Sequence, residues 1–294
     1  PHERLSDLRA QMAANRIGVV RLKELCAKYS TPTVLAAGAE LMNYAERKMR
    51  AGIAAIPDGT YHFRDRFDAE SLAGELEFSV TITVEGDEIS LHFESPKQVR
   101  AGLNVVYTAL LSTVYYAVKT VVDPTVLPNA GLARPIHVTA EIGTLLNCAH
   151  PAAVDGRIAA CQRVVDLIHG ALAPVVPERV VAACNGSVAI VSFSGTRSDG
   201  SLWVYLETIG GGFGARHNKD GMDGVHVHMT NSRLTDPEIL ETRFPVVLED
   251  FHIRKGSGGK GEWSAGDGTS RTIRFRETMD CAILASHRRV RPFG

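Results

Sequence analysis

The tightest constraint on this chain is an alternation in its first third. Leu76, Phe78, Val80, Ile82 and Val84 alternate with polar residues, Glu85-Gly86-Asp87 turns the chain, and Ile89, Leu91 and Phe93 alternate back. Successive side chains of a strand point to opposite faces, so each run carries one apolar and one polar face. The pattern predicts an antiparallel hairpin with one face buried and one wet. A one-residue slip would invert every side chain, which fixes the register. His92 falls on the wet face and reads as solvated.

Helical spacing surrounds this hairpin. Leu5, Leu8, Met12, Val19, Leu22 and Leu25/Cys26 recur between charges, predicting a long amphipathic helix over 3–28 with Gly18 marking a bend. Thr31-Pro32 caps a second helix over 34–55, ended by Pro57-Asp58-Gly59. The two should form an antiparallel helical hairpin over 1–57, with Arg47, Lys48 and Arg50 on a solvated face or, as the alternative, a partner-binding one, leaving 58–294 as the body. Asn104–Val122 is apolar almost all round and reads as a buried helix. Pro124, Pro128 and Pro135 break the linker before a short strand at Ile136–Ala140. Arg157–Ala173 is a helix carrying Gln162, Arg163 and Asp166 on an apolar frame. Arg163 and Asp166 share a face there, as an ion pair or as a subunit contact. Val180–Phe193 supplies one or two strands broken at Asn185-Gly186, and Phe244–Ile253, Thr269–Phe275 and Cys281–Ser286 supply more. The fold class expected is α+β, a helical hairpin followed by an antiparallel or mixed sheet with buried helices.

Composition narrows the partners. With 45% hydrophobic and 22% charged residues in 294, the chain is an ordinary globular one, and a net charge of −1 offers no case for nucleic acid or an anionic membrane. Its five cysteines are scattered and form no C-x-x-C pair, which argues against a disulfide framework and for a reducing cytoplasm. The most apolar run, Val105–Val122, contains Lys119 and several hydroxyls, so it reads as a core helix rather than a membrane span.

The chemistry concentrates in Glu207–Arg243. A strand over Ser201–Leu206 runs into Gly210, Gly211, Gly212 and Gly214, followed by Arg216 and an exposed loop. A dinucleotide motif would open a helix directly and this run does not. It remains a tight loop, facing a ligand or purely structural. In Val225–Asn231, an extended backbone would put His226 and His228 on one face. Two imidazoles are two legs of a metal site at most, and His217, Asp220 and Asp223 lack diagnostic spacing for a third. The alternative is a hydrogen-bonded pair lining a cleft. Thr235-Asp236-Pro237-Glu238 then starts a short helix. Lys255–Gly261 is glycine-rich and basic but lacks the order of a phosphate loop, so it reads as a hairpin connection.

The run GVHVHMTNSRLTDPEILETRFPVVLEDFHIRKGSGGKGEWSAGDGTSRTIRFRE closely resembles the hydantoinase B and 5-oxoprolinase family. So do LSDLRAQMAANRIGVVRLKEL near the start and AAVDGRIAACQRVVDLIHGAL in the middle. The resemblance implies one part of an ATP-dependent enzyme acting on cyclic amides such as hydantoins and 5-oxoproline. An A-type partner would bind ATP and Mg and phosphorylate the amide oxygen, and the B part would complete ring opening by attack of water, within a homo- or hetero-oligomer. The same family implies two alternatives: a subunit of an acetone- or acetophenone-type carboxylase, and a non-catalytic scaffold half. On this reading His226 and His228 orient substrate, Asn231 serves as an amide donor or acceptor, and Arg233 meets the anion of a phosphorylated intermediate. Arg233 pairing with Asp236 or Glu238 is the plain alternative. The family's divalent-metal motifs lie upstream of the matching region, so those ligands map onto no position here. The chain opens on Pro1 inside a family motif and stops at Arg291-Pro292-Phe293-Gly294, which suggests a fragment of a longer polypeptide, unable alone to bind ATP or open a lactam.

Overall fold

The computed structural model describes residues 2–69, 74–186 and 188–294; Pro1, where the family motif opens, lies outside them. Helices α1 (His2–Tyr29) and α2 (Thr31–Ile53) meet at Ser30, which takes φ 70 and accepts a capping hydrogen bond from the Thr33 amide at 3.5 Å. Both predicted helices exist, and Gly18 does not interrupt the first. They form an open hairpin, however: from residue 4 to Tyr29 every side chain but Cys26 is exposed. The apolar residues of α1, among them Leu8, Ile17 and Val20, do not gather into one stripe, so α2 cannot cover them together. Helix α2 instead buries Ala45, Met49 and Ile53, one face at i, i+4 and i+8, against the body.

Strands β1 (Gly59–Ala69), β2 (Gly74–Glu85) and β3 (Glu88–Glu94) make an antiparallel meander. The predicted hairpin is in register, with Val84 opposite Ile89, Ile82 opposite Leu91 and Val80 opposite Phe93. Sequence reasoning missed β1 because its wet face is charged. There Arg64 pairs with Glu77 and Arg66 with Glu75 across the strands, exposed pairs that fix register more than they stabilise. The chain then crosses over through α3 (Tyr107–Val122) and the short α4 (Ala130–Ala133) to β4 (Ile136–Ala140), which adds parallel to β3. Helix α3 starts later than predicted. Asn104 lies before it in a loop, fully buried, with its side chain bonded to the backbone of Val99, Ala101 and Ala153.

Helix α5 (Arg157–Leu172) is buried from Ala159 to its end, packed between α3 and the β1–β2 face. Beyond it, β5 (Ala189–Thr196) and β6 (Leu202–Ile209) pair antiparallel. After α6 (Pro237–Arg243), β7 (Val246–Arg254) and β8 (Gly268–Phe275) form a two-stranded ribbon, and β9 (Asp280–Leu284) closes the β6-β5-β9 sheet. A large core unites α2, α3, α5 and the first sheet, and a smaller one lies around Phe193, Trp203, Tyr205 and Leu240. Helices and mixed sheets together make the α+β class expected. Among the described residues no helix is long and apolar enough to cross a membrane.

Candidate functional site

A helix buried on all sides must find partners for its polar residues. Those of α5 fall into two directions. Gln162, Asp166 and His169, spaced i, i+4 and i+7, form one line. Gln162 holds the 227–230 turn: its amide donates to the Val227 carbonyl at 2.8 Å and to Thr230 Oγ1 at 3.0 Å, while the Met229 amide donates to Gln162 Oε1 at 3.3 Å. That turn presents His228 at φ 50, with Nε2 3.0 Å from Asp166 Oδ1 and both side chains 1% exposed. The His228 ring is edge-on to His169 at 5.8 Å between centroids, and Tyr116 and Phe213 each stand at 6.4 Å. His169 Nε2 lies 3.1 Å from Thr120 Oγ1 on α3.

The two histidines are driven apart electrically. Burial pushes His169 down to about 4, and the neighbouring His228 charge pushes the same way. Burial also opposes a charged His228, but hydrogen bonds and charge from Asp166 and Cys184 outweigh it and raise it to about 10. At neutral pH the site therefore holds one charged and one neutral imidazole. Cys184 is buried, receives the Gly214 amide at 3.4 Å, and connects His228 to the cleft described next. Asp166 Oδ2, the carboxylate oxygen turned away from His228, is buried without a hydrogen-bond partner among the described residues.

Arg163 faces the other way. The predicted pair with Asp166 does not form; the guanidinium meets Asp65 on β1 at 2.9 Å, donates to the Arg66 carbonyl at 2.6 Å and contacts His287. Burial lowers its pKa, with the nearby aspartates opposing. One residue of helix rotation turns it toward β1 and the C-terminal segment instead of the 227–230 turn.

A cleft of about 760 Å³ opens over Cys184 and Asn185, between the 255–261 loop and the C-terminal residues. Gly212 lines it, and Arg254, Lys260, His287 and Arg291 supply its basic groups.

The sequence-predicted site residues scatter around this centre. The extended backbone expected for Val225–Asn231 is limited to a bridge between Val225 and Gly211, and the positive φ of His228 breaks the alternation that would align it with His226. His226 is half-buried, which lowers its pKa. Asn231 and Arg233 are exposed, and among the described residues Arg233 forms no ion pair with Asp236 or Glu238. The glycine run packs backbone against backbone: a Cβ on Gly214 would overlap the Ala182 carbonyl and one on Gly212 the Gly266 carbonyl. Gly210 and Gly211 lie beside Gly224 and Asn185, and Arg216 is exposed outside the cleft. Asp220 and Asp223 accept the Ser264 and Asp267 amides at 2.7 Å, tying the loop down. Among the described residues no group of three or more His, Cys, Asp or Glu is placed to hold a metal ion. Asp166, His169 and Cys184 escaped the sequence reading as site residues. Polar residues recurring along an otherwise apolar helix were the available signal.

The sequence profile of the family described as Hydantoinase B/oxoprolinase matches residues 1–294. A Pseudomonas sp. (strain NS671) protein, provisionally named as the B component of a D-/L-hydantoinase, is 35% identical over 99% of this chain. The chain spans 51% of that relative's length, about half. The crystal structure of an ATP-dependent caprolactamase from Pseudomonas jessenii superimposes with a TM-score of 0.77 at 29% identity, covering 92% of this chain and 48% of that one. A nucleotide-free acetone carboxylase superimposes with a TM-score of 0.78 over 90% of this chain and 38% of that one; at 17% identity it supports the fold alone.

Proposed function

The chain belongs to the hydantoinase B/oxoprolinase family, and from that premise we propose that it is part of an ATP-dependent enzyme that opens cyclic amides. The observation that carries the reading is the likeness to the caprolactamase, an ATP-dependent enzyme directed at a lactam. An unstrained lactam is a poor electrophile, and phosphorylating its oxygen creates a leaving group. An A-type partner would perform that step with ATP and Mg, and this part would complete hydrolysis by attack of water on the phosphorylated lactam. The described residues do not fit a metal centre, so a divalent ion in such an enzyme would be held by sequence outside this stretch.

In this reading the chain's own residues bind and orient. The charged His228, held by Asp166 beneath Cys184, fixes the floor of the cleft. Arg233, exposed and without an ion pair among the described residues, is available to a phosphorylated intermediate, with Asn231 beside it. The test is ATP-dependent turnover by the full-length protein assembled with its A-type partner, using 5-oxoproline, hydantoin and caprolactam. Ring opening coupled to ADP release is the expected result. ADP release that requires bicarbonate and a ketone, with every lactam inert, would overturn the reading in favour of a carboxylase. An assembly inert to lactams and ketones alike would leave a scaffold role.

A further inference from the structure

We propose that the cleft between the 255–261 loop and the C-terminal segment is a binding site for a phosphate-type dianion carried on a small organic body. Arg254, Lys260 and Arg291 line it, together with His287, and among the described residues no Asp or Glu side chain does. Elsewhere arginines commonly find carboxylates: Arg47 meets Glu40, Arg134 meets Glu46, and Arg274 meets Glu249. Among the described residues none of the three cleft cations forms an ion pair. Asp267, next in sequence to the lining residues Gly266 and Gly268, forms no ion pair with them among the described residues. It is turned into the loop, where its two oxygens accept the Gly256 and Gly258 amides at 2.9 and 2.7 Å.

The cations stand on two walls that are anchored separately. Arg254 ends β7, and the loop carrying Lys260 is held by Asp267 and by the Ala265 amide on the Gly259 carbonyl at 2.9 Å. Arg291 belongs to a segment fixed by Asp68, which accepts the Arg288 and Arg289 amides at 2.6 and 3.1 Å, and by the edge-on contact of Phe293 with Phe63. The backbone of both walls is therefore fixed before a ligand arrives, and only the exposed side chains of Arg254, Lys260 and Arg291 have to be ordered on binding. Concave walls of one sign concentrate the field on an anion, and arginine matches the oxygens of phosphate two at a time. The Ser286 hydroxyl, on a residue of the same lining, is buried and has no hydrogen-bond partner among the described residues. At about 760 Å³ the cleft leaves room beside a phosphoryl group for a molecule of metabolite size.

The proposal shares this cleft with the hydrolase reading but not its reaction, and the test uses neither ATP nor a partner. Full-length protein is titrated calorimetrically with phenyl phosphate and with inorganic phosphate at constant ionic strength. Saturable one-site binding of phenyl phosphate is expected, at least as tight as that of inorganic phosphate. The double variant Arg254→Gln/Lys260→Gln and the single variant Arg291→Gln should each weaken it at least tenfold, while Arg47→Gln, on α2, leaves it unchanged. Absence of saturable binding, or binding untouched by the cleft variants, overturns the site. Binding of inorganic phosphate alone, with the ester excluded, overturns its assignment to a phosphoryl ligand. A failed lactam assay would leave this result standing, and the converse holds too.

Discussion

His228 Nε2 and Asp166 Oδ1 are 3.0 Å apart, although the residues are separated by 62 positions and each side chain is only 1% exposed. The pair joins the 227–230 turn to the middle of α5, so it is a tertiary clamp as well as a candidate site element. Removing one partner leaves the other charge buried and uncompensated. Asp166→Ala is accordingly expected to cost about 3–5 kcal/mol of unfolding free energy, measurable by urea denaturation, and His228→Ala should also destabilise. Two-state curves showing a loss under ~1 kcal/mol would mean that the pair is not charged in the folded protein.

The two histidines give that clamp a pH dependence with opposite signs on either side of neutrality. His228 is raised to about 10, so its stabilisation is fully present below the unfolded value of roughly 6.5 and fades as pH climbs toward 10. His169 is lowered to about 4, so the unfolded chain takes up its proton first and stability is lost as pH falls from roughly 6.5 toward 4. The stability difference between wild type and His228→Gln should shrink from pH 7 to pH 10. A His169→Gln variant should lose less stability than wild type on acidification. A pH-independent difference in both comparisons would refute the assignment of charge.

Much of the frame was legible because it follows from period. The Leu76–Phe93 alternation fixed a hairpin to the residue, and β6 to β9 lie close to where their apolar runs put them. Of the strands expected over Val180–Phe193, however, only the end joins β5 (Ala189–Thr196), the stretch before it forming no more than a bridge at Val181. What stayed hidden depends on contacts between distant residues. Arg163 and Asp166 are neighbours on a helix, and nothing local reveals that one meets Asp65 and the other His228. The alternation of His226 and His228 suggested a shared face, yet the Gln162 clamp across the chain favours a turn there instead. The spacing of α1 indicated a helix correctly, but whether a helix is covered depends on what lies opposite it, and α2 leaves it exposed.

Glu207 and Arg271 form a second buried pair, each side chain 4% exposed, joining β6 to β8; Glu207 also accepts the Thr235 amide at 2.6 Å ahead of α6. Arg271→Ala should cost about 3–5 kcal/mol by stranding the carboxylate. The double variant Glu207→Gln/Arg271→Met should recover part of that loss, because neither residue then carries a charge. A double-variant loss equal to the sum of the losses in Glu207→Gln and Arg271→Met alone, read in a double-mutant cycle by chemical denaturation, would show that the two residues are not coupled.

Asn104 predicts a purely structural loss. Its Oδ1 accepts the Val99 amide at 2.8 Å and its Nδ2 lies within 3.0 Å of the carbonyls of Val99, Ala101 and Ala153, in a position with no solvent to replace it. Asn104→Ala should destabilise by at least ~2 kcal/mol by leaving buried backbone groups unpaired. Asn104→Asp should not rescue it, since a carboxylate cannot donate to those carbonyls. A melting temperature unchanged in the alanine variant would exclude this account.

Arg233 gives the cleanest activity test, because its side chain is exposed and its removal disturbs no ion pair among the described residues. If it meets the charge that develops on a phosphorylated lactam, Arg233→Ala should lower kcat/KM of the assembled enzyme more than tenfold, above ~1.4 kcal/mol of transition-state stabilisation. Folding and assembly should be unaffected. Arg233→Lys should recover only part of the activity, since an ammonium group keeps the charge but loses the two-point match to phosphoryl oxygens. His228→Ala should also reduce turnover by more than tenfold, but its clamp on Asp166 means that the stability of that variant must be measured alongside. The decisive comparison is therefore Arg233→Ala against wild type at equal assembly: full activity there removes Arg233 from the site and leaves the exposed stretch after His228 as the lead-in to α6.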